Sequence, residues 1–355
     1  MRIALLTYSS RPRGGVVHTL ALAEALAALG QDVTVWTLGR GGDAAFFRPV
    51  HPSVSTVVVP FPDRPHETVG ERVLRSIAAL REAFDPAGYD ITHAQDCISA
   101  NAVDRCLRTV HHLDRFTTPE LAACHERAIV TPYAHVCVST TVAAELRAGW
   151  GITATVIPNG VDADRFATAG PGRWPHELGP YVLAVGGIEP RKGSLELLDA
   201  YALLPPRDPA PRLVIAGGET LFDYRDYRSR WQARADDLGV SPTVLGTVPH
   251  DDLPSLVAGA DAFAFPSLRE GFGLAALEAL AAGVPVVVWD RPVAREVYGD
   301  AVRYAADVPA FAAHLDAALT TDDPRRRDAG RSLATRYTWS AAAREHVAFY
   351  GTLAR

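Results

Sequence analysis

Short runs of aliphatic and β-branched residues recur along the chain, and each is followed by a longer Ala/Leu-rich stretch with its polar positions on one helical face. This alternation predicts βα units built around parallel sheets, an α/β fold. In the first half the pattern predicts strands at Arg2–Tyr8, Asp32–Thr37, Thr56–Pro60, Asp90–Ala94, Thr109–His112 and His135–Ser139. Helices are predicted near Val16–Leu29, Glu71–Phe84, Ile98–Leu107, Pro119–Arg127 and Thr141–Gly149. A second series predicts strands at Tyr181–Val185, Arg212–Ala216, Val244–Val248, Ala262–Phe265 and Val284–Val288. Its helices are Ser194–Leu204, Tyr227–Leu238, Leu253–Ala258, Gly273–Ala282 and Pro309–Leu319.

Between the two series, the run Thr155 to Asp162 is broken by Pro158 and then by Asn159-Gly160, and residues 170–175 lack periodicity, which predicts a linker. The expected organisation is two Rossmann-like domains in tandem, residues 1–165 and 175–336. A terminal helix within 337–355, capped by Thr338 or Ser340, is expected to return to the first domain.

The 355 residues suit two cores of about 100–200 residues each. With 48% hydrophobic and 21% charged residues the chain is neither disordered nor fibrous in composition. A net charge of −6 argues against a broad nucleic-acid-binding face, so no nucleic-acid partner is expected. The start, Met1 to Leu6 and then Thr7-Tyr8, is too short an apolar run for a signal peptide, and no apolar tract is long enough to span a bilayer. The expected location is cytoplasmic, with membrane contact at most peripheral. Cys97, Cys106, Cys124 and Cys137 form no C-x-x-C pair and are expected to be buried free thiols.

Open parallel sheets bind ligands beyond the carboxyl ends of their strands, so the loops there hold the candidate chemistry. The loop Arg11-Pro12-Arg13-Gly14-Gly15-Val16 enters the first helix and leaves backbone N–H groups free for an anion or simply makes a tight turn. It lacks G-x-G-x-x-G spacing, and no acidic residue ends the second strand at Trp36-Thr37-Leu38, which disfavours a nicotinamide dinucleotide. The loop Gly186-Gly187-Ile188-Glu189-Pro190-Arg191-Lys192-Gly193 places two cations at a helix start, against the helix dipole. Of the 35 basic residues Lys192 is the single lysine, and a compact point charge there suits a phosphate oxygen.

The third loop, Arg269-Glu270-Gly271-Phe272-Gly273-Leu274, offers backbone N–H groups to a phosphate and the Glu270 carboxylate to sugar hydroxyls. Glu278 lies further along the following helix. If both carboxylates were helical they would stand about 12 Å apart and touch different parts of one extended ligand. Thr109-Val110-His111-His112-Leu113-Asp114 ends a strand with two histidines, of which strand alternation lets one face the ligand side. Asp162-Ala163-Asp164 has the form of a metal-holding D-x-D but follows Pro158-Asn159-Gly160, so a helix cap or a turn is expected and no metal.

Tandem Rossmann-like domains with Glu270-x7-Glu278 resemble the retaining glycosyltransferases of GT-B fold, family 4, also called group 1. The matching pieces are Gly14-Gly15, Thr109-Val110-His111, Asn159-Gly160-Val161-Asp162, Pro190-Arg191-Lys192-Gly193, Gly246-Thr247-Val248 and Ser267 through Glu278. The resemblance implies that Lys192 binds the diphosphate of a nucleotide-sugar donor, UDP- or GDP-linked, with no further cofactor. It implies that Glu270 and the backbone of Gly271, Phe272, Gly273 and Leu274 hold the donor sugar and phosphates. Glu278 would hold the ribose, Val248 the base, and His111 would face a small-molecule, glycan or lipid acceptor. The family usually has Arg where this chain has Gly187, so Arg191 is the candidate second cation. The implied activity is metal-independent hexosyl transfer with retention, in a cleft closed by domain movement. A GT-B sugar-nucleotide epimerase and a non-catalytic sugar-nucleotide-binding protein are the alternatives.

Overall fold

The structure, a computed structural model, describes residues 1–114, 116, 118–218 and 224–353. It divides into two units, Met1–Gly160 with Thr338–Arg355, and Val161–Tyr337.

The first unit runs β1 (Arg2–Leu6), α1 (Gly14–Ala28), β2 (Asp32–Arg40), β3 (Val54–Phe61), α2 (Val69–Ala83), β4 (Ile91–Ala94), α3 (Cys97–Ala102), β5 (Leu107–Val110), α4 (Pro119–Val130), β6 (Ala134–Cys137), α5 (Thr140–Trp150) and β7 (Thr155–Val156). Its strands form one seven-stranded sheet in the order β3-β2-β1-β4-β5-β6-β7, with every pairing parallel. The reversal of direction at β1 and β4 is the switch point at which such sheets hold ligands. Buried strands flanked by helices explain the almost uninterrupted apolar runs of the sequence.

The second unit runs α6 (Ala163–Ala167), α7 (Trp174–Leu178), β8 (Tyr181–Val185), α8 (Ser194–Ala202), β9 (Arg212–Ala216), α9 (Arg225–Leu238), β10 (Thr243–Gly246), α10 (Leu253–Ala258), β11 (Ala262–Phe265), α11 (Leu274–Ala282), β12 (Val286–Trp289), α12 (Pro292–Tyr298), β13 (Arg303–Ala305), α13 (Val308–Thr320) and α14 (Pro324–Arg336). The sheet order is β10-β9-β8-β11-β12-β13, again all parallel. Its core packs Val182 and Ala184 against Leu197, Leu198, Phe311 and Leu315.

The last helix, α15 (Trp339–Leu353), belongs to the first unit. Thr338 is its cap, with Oγ1 accepting from Ala341 N–H at 3.2 Å. Its residues Ala342, Ala343 and Tyr350 join Ile3, Leu5, Leu20 and Leu107 in one buried cluster. Burying this face, rather than helix propensity alone, holds α15 in place.

Several boundaries differ from the sequence expectation. The first unit ends at Gly160, because Asp162 already caps α6 through Arg165 N–H and Phe166 is buried in the second unit. Two short helices thus flank the expected linker, α6 ending before it and α7 starting at its end. α3 stops at Ala102 where Val103 turns extended, so Leu107 starts β5 and the strand ends at Val110, before the two histidines. β10 ends at Gly246, which leaves Val248 in the following loop. β13, α12 and α14 were not expected: β13 has three residues, and α14 buries only Gly330, Leu333 and Ala334, too weak an apolar stripe to register in the pattern.

Candidate active site

In the second unit the loops leaving β8, β9, β10 and β11 share one edge of the sheet, since these four strands are neighbours. Backbones approach closely there. A Cβ on Gly217 would lie 2.3 Å from the carbonyl of Gly186, and one on Gly218 would lie 2.3 Å from Thr247 Oγ1. The loop after β8 ends in a 3₁₀ turn, Pro190–Lys192, closed by Gly193 at φ +63°. The Arg191 carbonyl accepts from Leu268 N–H at 2.9 Å, which ties this turn to the loop after β11.

That tie brings together the charges that the sequence singled out. Lys192 Nζ donates to Glu270 Oε2 at 2.8 Å, Arg191 lies 3.7 Å from the same carboxylate, and Arg191 lies 3.6 Å from Glu189. All four side chains are at least three-quarters shielded, where charges interact more strongly than at an open surface. The lysine stem runs along Gly186, whose missing Cβ would sit 3.4 Å from Lys192 Cδ and Cε.

Gly187 is where the family resemblance leads one to expect arginine. A Cβ there would stand 2.8 Å from Glu189 Oε1 and 2.8 Å from the Gly218 carbonyl, so Glu189 and the β9 loop fill the place. The guanidinium of Arg191, on the same turn as Lys192, is a second cation beside Glu270.

α11 starts at Leu274, so Glu270 stands in the loop before it and the 12 Å separation from Glu278 expected of a continuous helix does not apply. Gly273 is the N-cap at φ +86°, without a side-chain cap bond among the described residues. A Cβ there would fall 1.8 Å from Tyr298 Oη. The fully buried Tyr298 hydroxyl hydrogen-bonds the carbonyls of Phe272 and Gly273 at 2.9 and 3.1 Å, and its ring meets Phe265 edge-on at 6.4 Å. Tyr298 therefore ties down the backbone that leads into α11. Nothing in its local sequence, Val297-Tyr298-Gly299, marks this role, and the same holds for Glu189 and Gly218.

Glu278 lies in the middle of α11 and is partly buried. Burial pushes its carboxyl up to about 7, with Arg165 pulling it down and Asp162 pushing it up. Phe272 is buried edge-on against Tyr337 at 5.1 Å, Leu274 is half-buried at the first turn of α11, and Val248 is half-buried two residues past β10.

In the first unit His111 and His112 lie past the end of β5, so strand alternation does not divide them as expected. Their contacts do. The His111 ring lies 3.7 Å from where a Cβ on Gly15 would be and meets His18 edge-on at 4.7 Å. His112 Nε2 pairs with Asp114 Oδ2 at 2.8 Å. Gly15 lies in the first turn of α1, whose N-cap Arg13 makes no side-chain cap bond among the described residues. His18 Nδ1 is 2.9 Å from Asn159 Oδ1, which places the Asn159-Gly160 motif in the same network. The Asp162-Ala163-Asp164 motif caps α6, and among the described residues no three His, Cys, Asp or Glu side chains are grouped to hold a metal ion. No helix among them is long and apolar enough to cross a membrane.

Two parallel-sheet units of this strand order, the second with cations and a glycine-cradled helix start at its carboxyl edge, are the GT-B build of sugar-transferring enzymes. Comparison with known proteins agrees. Residues 12–165 match the family model described as Glycosyltransferase Family 4, and residues 174–333 match that described as Glycosyl transferases group 1. O-antigen chain mannosyltransferase B of Escherichia coli is 36% identical over 180 residues, covering 49% of this chain and 46% of that protein. Phosphatidyl-myo-inositol mannosyltransferase of Mycobacterium leprae is 28% identical, covering 100% of this chain and 97% of that one. Among solved structures, sucrose-phosphate synthase from Thermosynechococcus elongatus superposes with a TM-score of 0.79 at 20% identity, covering 99% of both chains. Anabaena HepE in complex with UDP and glucose gives 0.76 at 19% identity, with 99% of this chain and 100% of that one covered. The chain belongs to the group 1, family 4 glycosyltransferases of GT-B fold.

Proposed function

We propose that this protein moves a hexose from a UDP- or GDP-linked donor to a hydroxyl of its acceptor, with retention at the anomeric carbon and without a metal ion. The observation that carries this reading is the convergence of Lys192, Arg191 and Glu270 beside the glycine-lined start of α11. When the anomeric carbon parts from the donor phosphate oxygen, negative charge grows on the leaving diphosphate. Lys192, Arg191 and the N–H groups at the start of α11 stabilise it, the term that usually dominates such catalysis. Glu270 accepts from hydroxyls of the sugar, Glu278 from those of the ribose, and Val248 packs on the base.

The acceptor oxygen attacks from the face that the diphosphate leaves, the new glycosidic bond forms there, and the acceptor proton passes to the departing phosphate oxygen. Retention follows from this geometry. His111 lies on the acceptor side. Two relatives named as mannosyltransferases, and a structural neighbour solved with UDP and glucose, support a nucleotide-sugar donor.

The test is thermal-shift and calorimetric titration with UDP, GDP and ADP and their glucose, mannose and N-acetylglucosamine derivatives, in the presence of EDTA. One nucleotide should raise the melting temperature with its logarithmic concentration, and K192A should lose the effect. NMR of the product should show the donor's anomeric configuration. Binding of none of these nucleotides or nucleotide sugars overturns the donor assignment. Binding without transfer or donor hydrolysis favours a non-catalytic sugar-nucleotide-binding protein, and an altered sugar formed without acceptor favours an epimerase.

A further inference from the structure

The amino edge of the second unit's sheet, opposite the edge that carries Lys192 and Glu270, holds a cavity of about 240 Å³. Asp261 before β11, Val284 and Pro285 before β12 and Arg303 at the start of β13 line it from the sheet, and the end of α13 and the start of α14 line it from outside. Leu280, in the last turn of α11, is also in its wall, whereas Leu274 at the other end of that helix follows the glycine cradle. The cavity and the proposed diphosphate site thus lie at opposite ends of a nine-residue helix about 14 Å long.

The charges around the cavity are unevenly matched. Asp323 caps α14, its Oδ1 accepting from Arg326 N–H at 3.1 Å, and its Oδ2 accepts from Arg326 Nη1 at 2.5 Å. Arg327 is paired with Asp322, and Asp261 accepts from Tyr181 N–H at 2.7 Å. Arg303 has only a share in what is left. Its Nη2 is 3.7 Å from the Asp323 oxygen that Arg326 already holds, beyond hydrogen-bond distance, and its Nε has no partner among the described residues. Its side chain is 15% exposed, so most of its charge is shielded from water while part of it is open to a ligand in the cavity. Burial and the Arg326 charge hold its guanidinium below its ordinary pKa, with Asp323 opposing them. A guanidinium carries five N–H donors, and a shielded one that shares a single distant carboxylate is short of an anion.

We infer that this cavity binds a small organic monocarboxylate, its carboxylate in the fork of Arg303 and its apolar body against Leu280, Val284, Pro285 and Leu319. A carboxylate matches the planar guanidinium with two parallel N–H···O bonds. One negative charge is also what the cavity lacks, because Arg326 and Arg327 are already paired. A phosphate or other dianion would bring a second charge toward Asp261, Asp322 and Asp323, which line the same cavity and repel it. The positive end of the α14 dipole favours a single anion at this place. The inference is independent of the donor reading, because none of the lining residues belongs to the loops after β8, β9, β10 and β11.

R303M tests it, since methionine keeps part of the apolar stem and removes the fork, while Asp323 retains Arg326 as its partner. Saturation-transfer NMR on the full chain, with propanoate, 2-methylpropanoate and benzoate as probes and an equal concentration of inorganic phosphate present, should show contact for at least one carboxylate with the wild type. R303M should weaken the binding of that probe at least about tenfold. Nucleoside-diphosphate binding by R303M should equal that of the wild type and serves as the check that the second unit is intact.

The absence of any carboxylate contact with the wild type, an affinity unchanged in R303M, or displacement of the carboxylate by the equimolar phosphate overturns the inference. A failure of the donor reading would appear separately, as absence of nucleoside-diphosphate binding by the wild type. If R303M does not fold, R303Q is titrated in the same way, and an affinity equal to that of the wild type overturns the inference.

Discussion

The ammonium of Lys192 lies 2.8 Å from the carboxylate of Glu270, and the same carboxylate is 3.7 Å from Arg191. Two cations thus share one anion at the edge where a diphosphate is proposed to sit, and Glu189 balances Arg191 from its other side at 3.6 Å. A donor diphosphate adds negative charge that draws Lys192 and Arg191 toward phosphate oxygens and releases Glu270 for the sugar. K192A should therefore lower turnover about a hundredfold or more while the fold persists. Near-normal kcat in the purified variant would remove Lys192 from the mechanism.

The substitution G187R installs the arginine that the family usually carries. Here it meets Glu189 Oε1 and the Gly218 carbonyl, each 2.8 Å from the new Cβ. The expected result is a loss of about 1–3 kcal/mol in stability from overpacking, with activity reduced rather than gained. R191A should lower donor affinity in the otherwise native protein. A G187R protein of full stability and higher activity would show that the second cation belongs at position 187.

Tyr298 tests whether the backbone before α11 needs external support. Y298F removes the hydroxyl that bonds the Phe272 and Gly273 carbonyls and leaves the buried ring in place. Stability should fall by about 1–2 kcal/mol and donor affinity should weaken with it. Calorimetry that finds wild-type donor affinity in Y298F would confine Tyr298 to a packing role.

The sequence made some of this site legible and concealed the rest for a physical reason. Lys192 and Arg191 stand out because cations at a helix start conflict with the helix dipole, and Glu270 because it adjoins glycines that precede a helix. Such conflicts are local and can be read from a string. Glu189 filling the space at Gly187, or Tyr298 reaching back to Gly273, depends on which loops the sheet order makes neighbours, and no short-range pattern encodes that. The same limit explains the histidines. Residues 107–112, Leu-Arg-Thr-Val-His-His, hold no glycine or proline to mark a stop, and the strand ends where its pairing with β6 ends, at Val110 beside Cys137. Where a whole apolar face is buried, as on α15, periodicity was sufficient.

Glu278 gives the site a pH dependence. Burial raises its carboxyl from 4.5 in an exposed chain to about 7, so the folded state holds the proton more tightly than the unfolded one. The stabilising contribution is complete below pH 4.5 and is lost as the pH rises through about 7, a change of roughly 3 kcal/mol. E278Q should therefore be more stable than the wild type at pH 8 and equal to it at pH 4. Because ribose hydroxyls are proposed to donate to the ionised form, nucleoside-diphosphate affinity of the wild type should increase over the same interval and that of E278Q should not. Thermal melts and titrations at four pH values decide both, and parallel curves for the two proteins would contradict the assignment.

The opposite sign applies to the first unit. His18 and His93 are fully buried and held well below their ordinary pKa by desolvation, and burial lowers His346 to about 4. His93 and His346 lie between the sheet and α15, with His93 Nδ1 2.7 Å from Tyr350 Oη and His346 Nδ1 donating to the Ala342 carbonyl at 2.8 Å. Each ring is neutral in the folded state, while in the unfolded chain it takes up a proton near pH 6.5. The stability they contribute is full above that pH and is lost as the pH falls toward 4, by roughly 1.4 kcal/mol per pH unit for each histidine. The proton taken up by His346 sits on the buried face of α15 itself, so acid should loosen α15 first. Hydrogen exchange at pH 5 should show faster exchange in Trp339–Leu353 than at pH 7.5 after correction for intrinsic rates. H346L should reduce the pH dependence of stability by about one proton. If H346L keeps the full slope between pH 6.5 and 4, the acid sensitivity of this helix rests on other groups.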